Sequence, residues 1–550
     1  MALIPLVGSV LTLRCVQGLL YPQDSETRQM KSLDGLWTFV PETPNSDGVG
    51  FKEKWWNLDL ALFRNASKIP VPSSFNDLTA SKALRDHVGW VWYRTTFFAP
   101  KYWLTSTDKI FLRFGSVNYF ASVNNLCEYT LIENFLSYSY PNGSFAQILN
   151  FDFFNYAGIL RSVILYTVPQ VYISDVRLST SISDVDGMVS YKIIVTGPKP
   201  NPNIKVAIQR RNGVSVAFGT GPDNTIIVRK ARFWWPRGEN RTQGDGYMYI
   251  FQVSIVDQQG QIVDVYRINF GIRTIRMQNG QLYINGKRIY LKGCGMHEDF
   301  HVTSHYPYDE QRLDEADRRG FIVIAETPAV GLSWYSDEVL NLHQTMLFEM
   351  IDRDKNHPSI IAWSLANEPY NTYKTAARNH FKSIASLAKT LDPTRFITVV
   401  NGFRNASLDG TAKFVDFISL NRYYGWYSDN GRSDLIQYQL SKNLKWWYSL
   451  YQKPILVTEY GAGAVAGIRQ EPSTTFTENY QLEMMSENQK VFDEFKNEFL
   501  IGEMFWNFAD FATCQSTTRV SGNKKGIFTR DRQPKLAAYL VKKRYENDKQ

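Results

Sequence analysis

Two glutamates stand at the ends of apolar runs. Pro358-Ser-Ile-Ile-Ala-Trp-Ser-Leu-Ala366 leads into Asn367-Glu368-Pro369, and Pro454-Ile-Leu-Val-Thr458 leads into Glu459-Tyr460-Gly461. Cleaving a glycosidic bond needs such a pair: one carboxylic acid protonates the departing oxygen, and one carboxylate attacks the anomeric carbon or activates water. Parallel barrel strands bring residues at their C-terminal ends to one mouth, where the two groups can meet. A lone strand-end glutamate is more often an ordinary loop residue. Asn-Glu-Pro together with Thr-Glu-Tyr-Gly points to chemistry.

The elements that must position this pair lie in the C-terminal half. From about residue 275, apolar strand-like runs alternate with helical stretches, the pattern of a parallel α/β barrel. The candidate strands are 288–292, 321–324, 360–365, 396–400, 417–420, 455–458 and 502–506, which is one short of eight. Several end in polar or charged residues: His297-Glu298-Asp299, Glu326, Asn367-Glu368, Asn421, Glu459 and Asn507. Upstream, residues 19–168 carry short aromatic and β-branched runs at 35–40, 91–97 and 110–114, separated by turn residues, which reads as an all-β sandwich or jelly roll. Residues 169–273 carry evenly spaced runs at 189–195, 204–209, 225–228 and 248–256, as in a smaller immunoglobulin-like sandwich. The barrel domain is then 274–550.

The chain has 550 residues, enough for several cores, and 44% hydrophobic with 14% aromatic residues marks a globular protein. The formal charge of +8 is not gathered into a basic arm, so nucleic acid is not an expected partner. The apolar stretch ending near Gly18 suits a secretory signal over residues 1–18, and no other segment is long and apolar enough for a membrane span. Sequons at Asn65, Asn142, Asn240 and Asn405 fit glycosylation on the secretory route. Beyond residue 18 only Cys127, Cys294 and Cys514 remain, an odd number that leaves at least one free thiol. His301 and His305 have the i,i+4 spacing of metal ligands but lack a partnering ligand pattern, so no metal is expected.

Further motifs sharpen the reading. Pro72-Ser-Ser-Phe-Asn-Asp77, Gly89-Trp-Val-Trp-Tyr93, Asp152-Phe-Phe-Asn-Tyr-Ala-Gly158, Ser304-His-Tyr-Pro-Tyr308, Asn421-Arg-Tyr-Tyr-Gly-Trp-Tyr427, Trp506-Asn-Phe-Ala-Asp-Phe511 and Asn523-Lys-Lys-Gly-Ile-Phe-Thr-Arg530 are spread over most of the chain. With these residues the chain resembles the β-glucuronidases of glycoside hydrolase family 2. The resemblance implies a jelly roll, an immunoglobulin-like sandwich and a catalytic (β/α)8 TIM-type barrel. It also implies a retaining exo-hydrolase releasing β-D-glucuronic acid from glycosaminoglycan fragments and glucuronide conjugates. No cofactor is implied; a homotetramer and a lysosomal or secreted location are.

By the same resemblance Glu368 is the general acid/base, Glu459 the nucleophile, and Tyr423 a hydrogen-bond partner of the nucleophile beneath the anomeric centre. Glu368 must start each turnover protonated, so burial and the neighbouring Glu459 charge are expected to raise its pKa. Retention places the two carboxyl groups about 5–5.5 Å apart. Asn523 and Lys525 form the expected clamp for the sugar's C6 carboxylate, a charge-assisted contact that a neutral hexose cannot make. Tyr427, Asn421 and Asn367 are implied to contact sugar hydroxyls or that carboxylate. Asp152 and His297 fall at hydroxyl-binding positions, and Trp506 is either a wall of the sugar pocket or a packing residue. Tyr424 and Trp426 are expected in the core.

Two departures from the family pattern are abrupt. Only Phe300-His-Val-Thr303 separates Asp299 from Ser304-His305-Tyr306, where parallel strands need a crossover of a dozen or more residues. The missing strand falls at this place, that of barrel strand 2. In the jelly roll, residues 125–143 replace a much longer family stretch. Ala325 and Gly463 stand where the family has acidic residues, and Val302 where it has arginine. The flanks keep the family sequence, as loss of exons in a splice form would leave them. The alternative to a working hydrolase is therefore a catalytically impaired or inactive, glucuronide-binding paralogue or splice form with an incomplete barrel.

Overall fold

A computed structural model describes residues 2–3, 20–43, 48–87, 89–118, 121–122, 156–198, 202–240, 242, 244–297 and 305–547. Asp152, Asn142, Cys127 and most of the expected signal segment lie outside the described residues, as do Asp299 and Val302.

In the N-terminal sandwich Gly35–Pro41 pairs antiparallel with Ser67–Val71 on one side and Val91–Arg94 on the other. Opposite, Val163–Val168 lies between Met30–Ser32 and Lys109–Phe114. Trp37, Phe39 and Tyr93 from the first sheet and Val163 and Leu165 from the second share one buried cluster. The two inner faces thus supply the core, as sheet packing requires.

The second domain stacks a three-stranded sheet (Tyr172–Ser183, Asp186–Thr196, Asp223–Val228) on a four-stranded one (Ser215–Thr220, Asn203–Gln209, Tyr249–Val256, Ile262–Phe270). Val189, Tyr191 and Ile193 alternate inward and meet Ile204, Val206 and Ile208. The first two domains are locked together by Arg28, whose guanidinium donates to both oxygens of Asp264 at 2.9 and 2.6 Å while buried. Arg273, at the end of the second domain, donates to the carbonyls of Pro358 and Ile360 and so fixes the base of the strand that begins at Ile360.

The third domain is a parallel sheet of seven strands: β1 (Leu291–Cys294), β2 (Val323–Glu326), β3 (Ile360–Asn367), β4 (Phe396–Asn401), β5 (Ile418–Asn421), β6 (Ile455–Glu459) and β7 (Leu500–Phe505). Their order is β1-β7-β6-β5-β4-β3-β2. β1 pairs with β7 as in a closed barrel, while among the described residues no strand joins β1 to β2. This gap falls where the short link between Asp299 and Ser304 stands in the sequence. Helices α1 (Glu310–Arg319), α2 (Asp337–Asp354), α3 (Thr375–Leu391), α4 (Ile436–Tyr451), α5 (Glu478–Phe495) and α6 (Leu536–Asn547) belong to this domain. Their ends follow ordinary capping chemistry: Asp309 accepts from the Gln311 N–H at the start of α1, Thr477 does the same for Tyr480 in α5, and Gly320 closes α1 with a left-handed turn.

One expected strand divides. Residues 288–292 read as continuous, but Lys287–Ile289 pairs back on Gln281–Ile284, and only from Leu291 does the chain enter the barrel sheet. The cause is Asn285-Gly286, both at positive φ (52° and 80°), the pair a tight hairpin turn favours.

Candidate active site

The chain turns sharply at the end of β3. Glu368 adopts φ 47°, a left-handed conformation uncommon for a non-glycine residue. Its amide donates to the Val400 carbonyl (2.9 Å) and that of Asn367 to Ala329 (3.0 Å), so β4 and the loop after β2 both hold the turn. The turn leaves Glu368 half-buried at the barrel mouth. Glu459, the last residue of β6, is 8% exposed.

Asn421 connects the two. It lies beside Glu459 in the β5–β6 register and is itself buried. Its amide nitrogen donates to Glu368 Oε1 (2.7 Å) and to Asn367 Oδ1 (3.3 Å), while its Oδ1 accepts from Thr458 (2.9 Å). Tyr423, two residues on, donates its hydroxyl to Glu459 Oε2 at 2.6 Å. Burial and the Glu459 charge hold the Tyr423 phenol far above its ordinary range, so it stays a donor. Arg422 points the other way, into the wall, donating to the carbonyls of Asn401, Asn421 and Phe403 and to Asn443. It fixes the backbone from which Asn421 and Tyr423 project.

Burial pushes the Glu459 carboxyl up to about 8, with Glu368 and Glu326 adding to the rise, while His305 and the Tyr423 hydrogen bond oppose it. Glu459 is enclosed at its strand end, whereas Glu368, on the turn beyond β3, is half-buried.

Lys525 is almost wholly buried at 2% exposure. Its Nζ donates to Tyr427 Oη (2.7 Å) and lies over the rings of Tyr427, Tyr423 and Trp426 at 4.8, 5.3 and 5.7 Å. Asn523 is fully buried; its Oδ1 accepts from the Lys525 amide (3.1 Å), and its Nδ2 has no partner among the described residues. A buried donor left unpaired is costly, and a ligand carboxylate would satisfy it. The structure thus gathers Glu368, Glu459, Asn367, Asn421, Tyr423, Tyr427, Asn523 and Lys525. Tyr424 and Trp426 are core residues, as expected.

Trp506 at the end of β7 is buried and stacks on His305 with ring centres 5.0 Å apart. His297 packs edge-on against the same indole (5.1 Å) and against Phe511 (4.3 Å), and burial drives its pKa well down, which keeps the ring neutral. His305 itself was passed over in sequence as half of a histidine pair. Its Nδ1 meets Glu326 Oε1 (3.2 Å), and Glu326 Oε2 accepts from Ser364 (2.7 Å), so His305 belongs to the wall of the site. Its partner in that spacing, His301, lies outside the described residues. Arg519 was also missed: its Nη2 donates to Tyr427 Oη (2.8 Å), bringing a second cation to the clamp. Its position four residues before Asn523 carries no motif that would mark it. Asp314, Asp317 and His357 could together hold a metal, but they lie at the opposite end of β3, where His357 Nδ1 pairs with Asp317 Oδ2 at 2.6 Å and Asp317 also accepts from the Ser359 amide.

Known proteins show the same architecture. Residues 300–549 match the glycosyl hydrolases family 2 TIM barrel domain, and residues 171–273 match the glycosyl hydrolases family 2 domain. The rat β-glucuronidase is 36% identical and the human one 37%, each over 96% of this chain and 92% of the relative. The rat alignment spans 603 positions, whereas 96% of 550 residues is roughly 528, so about 75 positions have no counterpart in this chain. Among solved structures, the β-D-glucuronidase of Dictyoglomus thermophilum superposes with a TM-score of 0.81 at 36% identity, covering 96% of this chain and 99% of that one. The Ruminococcus gnavus β-glucuronidase in complex with uronic deoxynojirimycin gives 0.83 at 34% identity, with 96% and 99% covered. The chain belongs to glycoside hydrolase family 2, within its β-glucuronidase group.

Proposed function

We propose that this chain is a retaining exo-hydrolase that releases β-D-glucuronic acid from the ends of glycosaminoglycan fragments and from glucuronide conjugates. Glu459 attacks the anomeric carbon from its carboxylate form, and Glu368 gives its proton to the departing oxygen. Water then attacks the glycosyl–Glu459 ester, returning a proton to Glu368 and freeing Glu459. The Tyr423 hydroxyl restrains the nucleophile, and Asn421 orients the acid. The observation that carries the reading is the clamp of buried Lys525 and Asn523, with Tyr427 at its exposed side, next to the carboxyl pair. A neutral hexose would offer the buried Lys525 charge and the Asn523 amide no carboxylate, which disfavours it strongly. Asp152 and His297 complete the sugar contacts in this reading, and Trp506 walls the pocket with His305.

Passage through the secretory pathway to a lysosomal or extracellular location, and a homotetrameric state, form part of the proposal. Asn65 and Asn405 are exposed, as glycan acceptors must be. Asn240 is half-buried and accepts hydrogen bonds from Thr242. Sensitivity to an endoglycosidase and light scattering of the secreted chain test these points. Among the described residues no helix is long and apolar enough to cross a membrane.

A second reading rests on the edges of β1 and β2, which no further strand joins among the described residues: a chain that binds glucuronides without turning them over. Hydrolysis of an aryl β-D-glucuronide by the purified chain separates the two, with the matching glucoside and galactoside as controls and Glu459→Gln as the blank. Glucuronide-only turnover, absent in the blank, is the expected result. A soluble chain that binds but does not cleave supports the second reading.

A further inference from the structure

Lys525 belongs to a segment, residues 523–526, held from outside the pocket by three side chains. Lys535 is fully buried, and its ammonium makes three hydrogen bonds: to the Ala464 carbonyl (2.7 Å), Asp510 Oδ1 (2.7 Å) and the Lys524 carbonyl (3.0 Å). An ammonium has three donors, and here every one is used. Asp510 Oδ1 also accepts from the Gly526 amide (3.1 Å). Gln481, on α5 and fully buried, donates to the carbonyls of Ala462, Lys525 and Gly526 at 2.9–3.2 Å.

The segments joined in this way share a consequence. Ala462 and Ala464 belong to the loop that leaves Glu459, and Lys524 is adjacent to Lys525. The Ala464 amide donates to the same Lys524 carbonyl (2.9 Å). Lys535 and Gln481 therefore tie the loop carrying the nucleophile to the segment carrying the carboxylate clamp. A uronic acid ring presents its anomeric carbon and its C6 carboxylate at a fixed separation, so the spacing of Glu459 and Lys525 decides whether one ring can engage both.

Burying an ammonium and a carboxylate carries a desolvation cost, and a well-packed apolar pair is often as stable. A lysine and a glutamine that reach backbone carbonyls on both segments are suited to holding distance, which an apolar pair would not do. We propose that Lys535, with Gln481, is a positioning residue for sugar specificity: it sets the distance between nucleophile and clamp, and with it the preference for uronates over neutral sugars. The inference rests on the proposed role of Lys525.

The test needs no turnover. Binding of uronic deoxynojirimycin and of neutral 1-deoxynojirimycin is measured by calorimetry for the full chain, Lys535→Met and Gln481→Leu. A displacement of about an ångström is enough to cost tenfold or more in a preorganised site. Lys535→Met is expected to weaken the uronic ligand at least about tenfold while changing the neutral one less than about threefold. Gln481→Leu should act in the same sense and decides the matter where Lys535→Met gives no soluble chain. Equal losses for both ligands, or none for either, overturn the inference. If the unsubstituted chain binds both ligands alike, the clamp reading falls and this inference with it. If the chain prefers the uronic ligand and both variants keep that preference, only this inference falls.

Discussion

Tyr423 donates its hydroxyl proton to Oε2 of Glu459 across 2.6 Å, a short contact to a carboxylate buried at the end of β6. The donor restrains the nucleophile and opposes the burial that favours its neutral form. Tyr423→Phe removes the hydroxyl and keeps the ring. The expected result is a fall of about 10²-fold in kcat for an aryl glucuronide, the scale for losing one preorganised donor, with an unchanged circular dichroism spectrum. A variant that turns over like the parent would remove Tyr423 from the catalytic machinery.

Glu459 pushed up to about 8 has a consequence for the pH profile. The nucleophile must be ionised to attack, and the raised value leaves it protonated below about 8. The acidic limb of kcat/KM should therefore rise with an apparent pKa near 8. Glu326 is one of the charges raising the value, so Glu326→Gln should move that limb to lower pH. A profile flat from weak acid into weak alkali, or a limb indifferent to Glu326, would show that ionisation of Glu459 does not govern the rate.

The strand ends were legible because fully buried parallel strands read as unbroken apolar runs, so the first polar residue marks the mouth. Ile360–Asn367 and Ile455–Glu459 are of this kind. The gap between β1 and β2 among the described residues was legible from the count of seven strands and from a link of four residues, too short for a crossover. Ser215–Thr220 and Ile262–Phe270 were not, because their exposed faces and mixed polarity blur the alternation. His305 escaped for a different reason. Its meaning lies in Glu326 and Trp506, both distant in sequence, and its spacing from His301 suggested a comparison with no bearing on the fold. Lys535 and Asp510 likewise gain significance only as a buried pair, whereas composition presents them as surface charges. That Glu459 is the more enclosed carboxyl depends on a left-handed turn at Glu368 that no local pattern announced.

Gly402 is expected to tolerate no side chain if the acid is to work. A Cβ built there would lie 2.8 Å from Glu368 Cδ and 2.9 Å from its Oε2. The obstructing atoms are the free end of a flexible side chain, so the carboxyl would swing aside with little cost to the fold. Its hydrogen bond from Asn421 would then be lost. Gly402→Ala should leave the melting temperature within a few degrees while lowering kcat/KM by about 10²-fold, the scale for small misplacement of a catalytic group. Aryl glucuronides with good leaving groups need less protonation and should suffer less. A uniform loss across leaving groups would point away from the acid.

His343 and His380 form a buried pair behind β3, 2.9 Å apart, with His343 also against the Leu365 carbonyl. Burial drives both down to about 4, and for His343 the neighbouring imidazole adds to the effect. A histidine whose folded pKa is depressed takes up its proton more readily in the unfolded chain. Its penalty is absent above the unfolded value near 6.5 and grows as pH falls towards about 4. Each shift of this size is worth on the order of 3 kcal/mol, and coupling within the pair makes the two less than additive. Glu459 works in the opposite sense, because its raised pKa favours the folded state as pH falls from about 8 towards the ordinary carboxyl range. His357, raised to about 9 despite its burial by the Asp317 carboxylate beside it, makes its full contribution below about 6.5 and adds no slope there. Urea unfolding between pH 4 and 7 of the chain and of His343→Gln/His380→Gln isolates the pair, since the other groups are common to both. The parent should lose stability more steeply than the variant as pH falls through this range. Equal slopes would mean that the imidazoles take up protons in the folded chain as readily as in the unfolded one, without opening the α2–α3 contact.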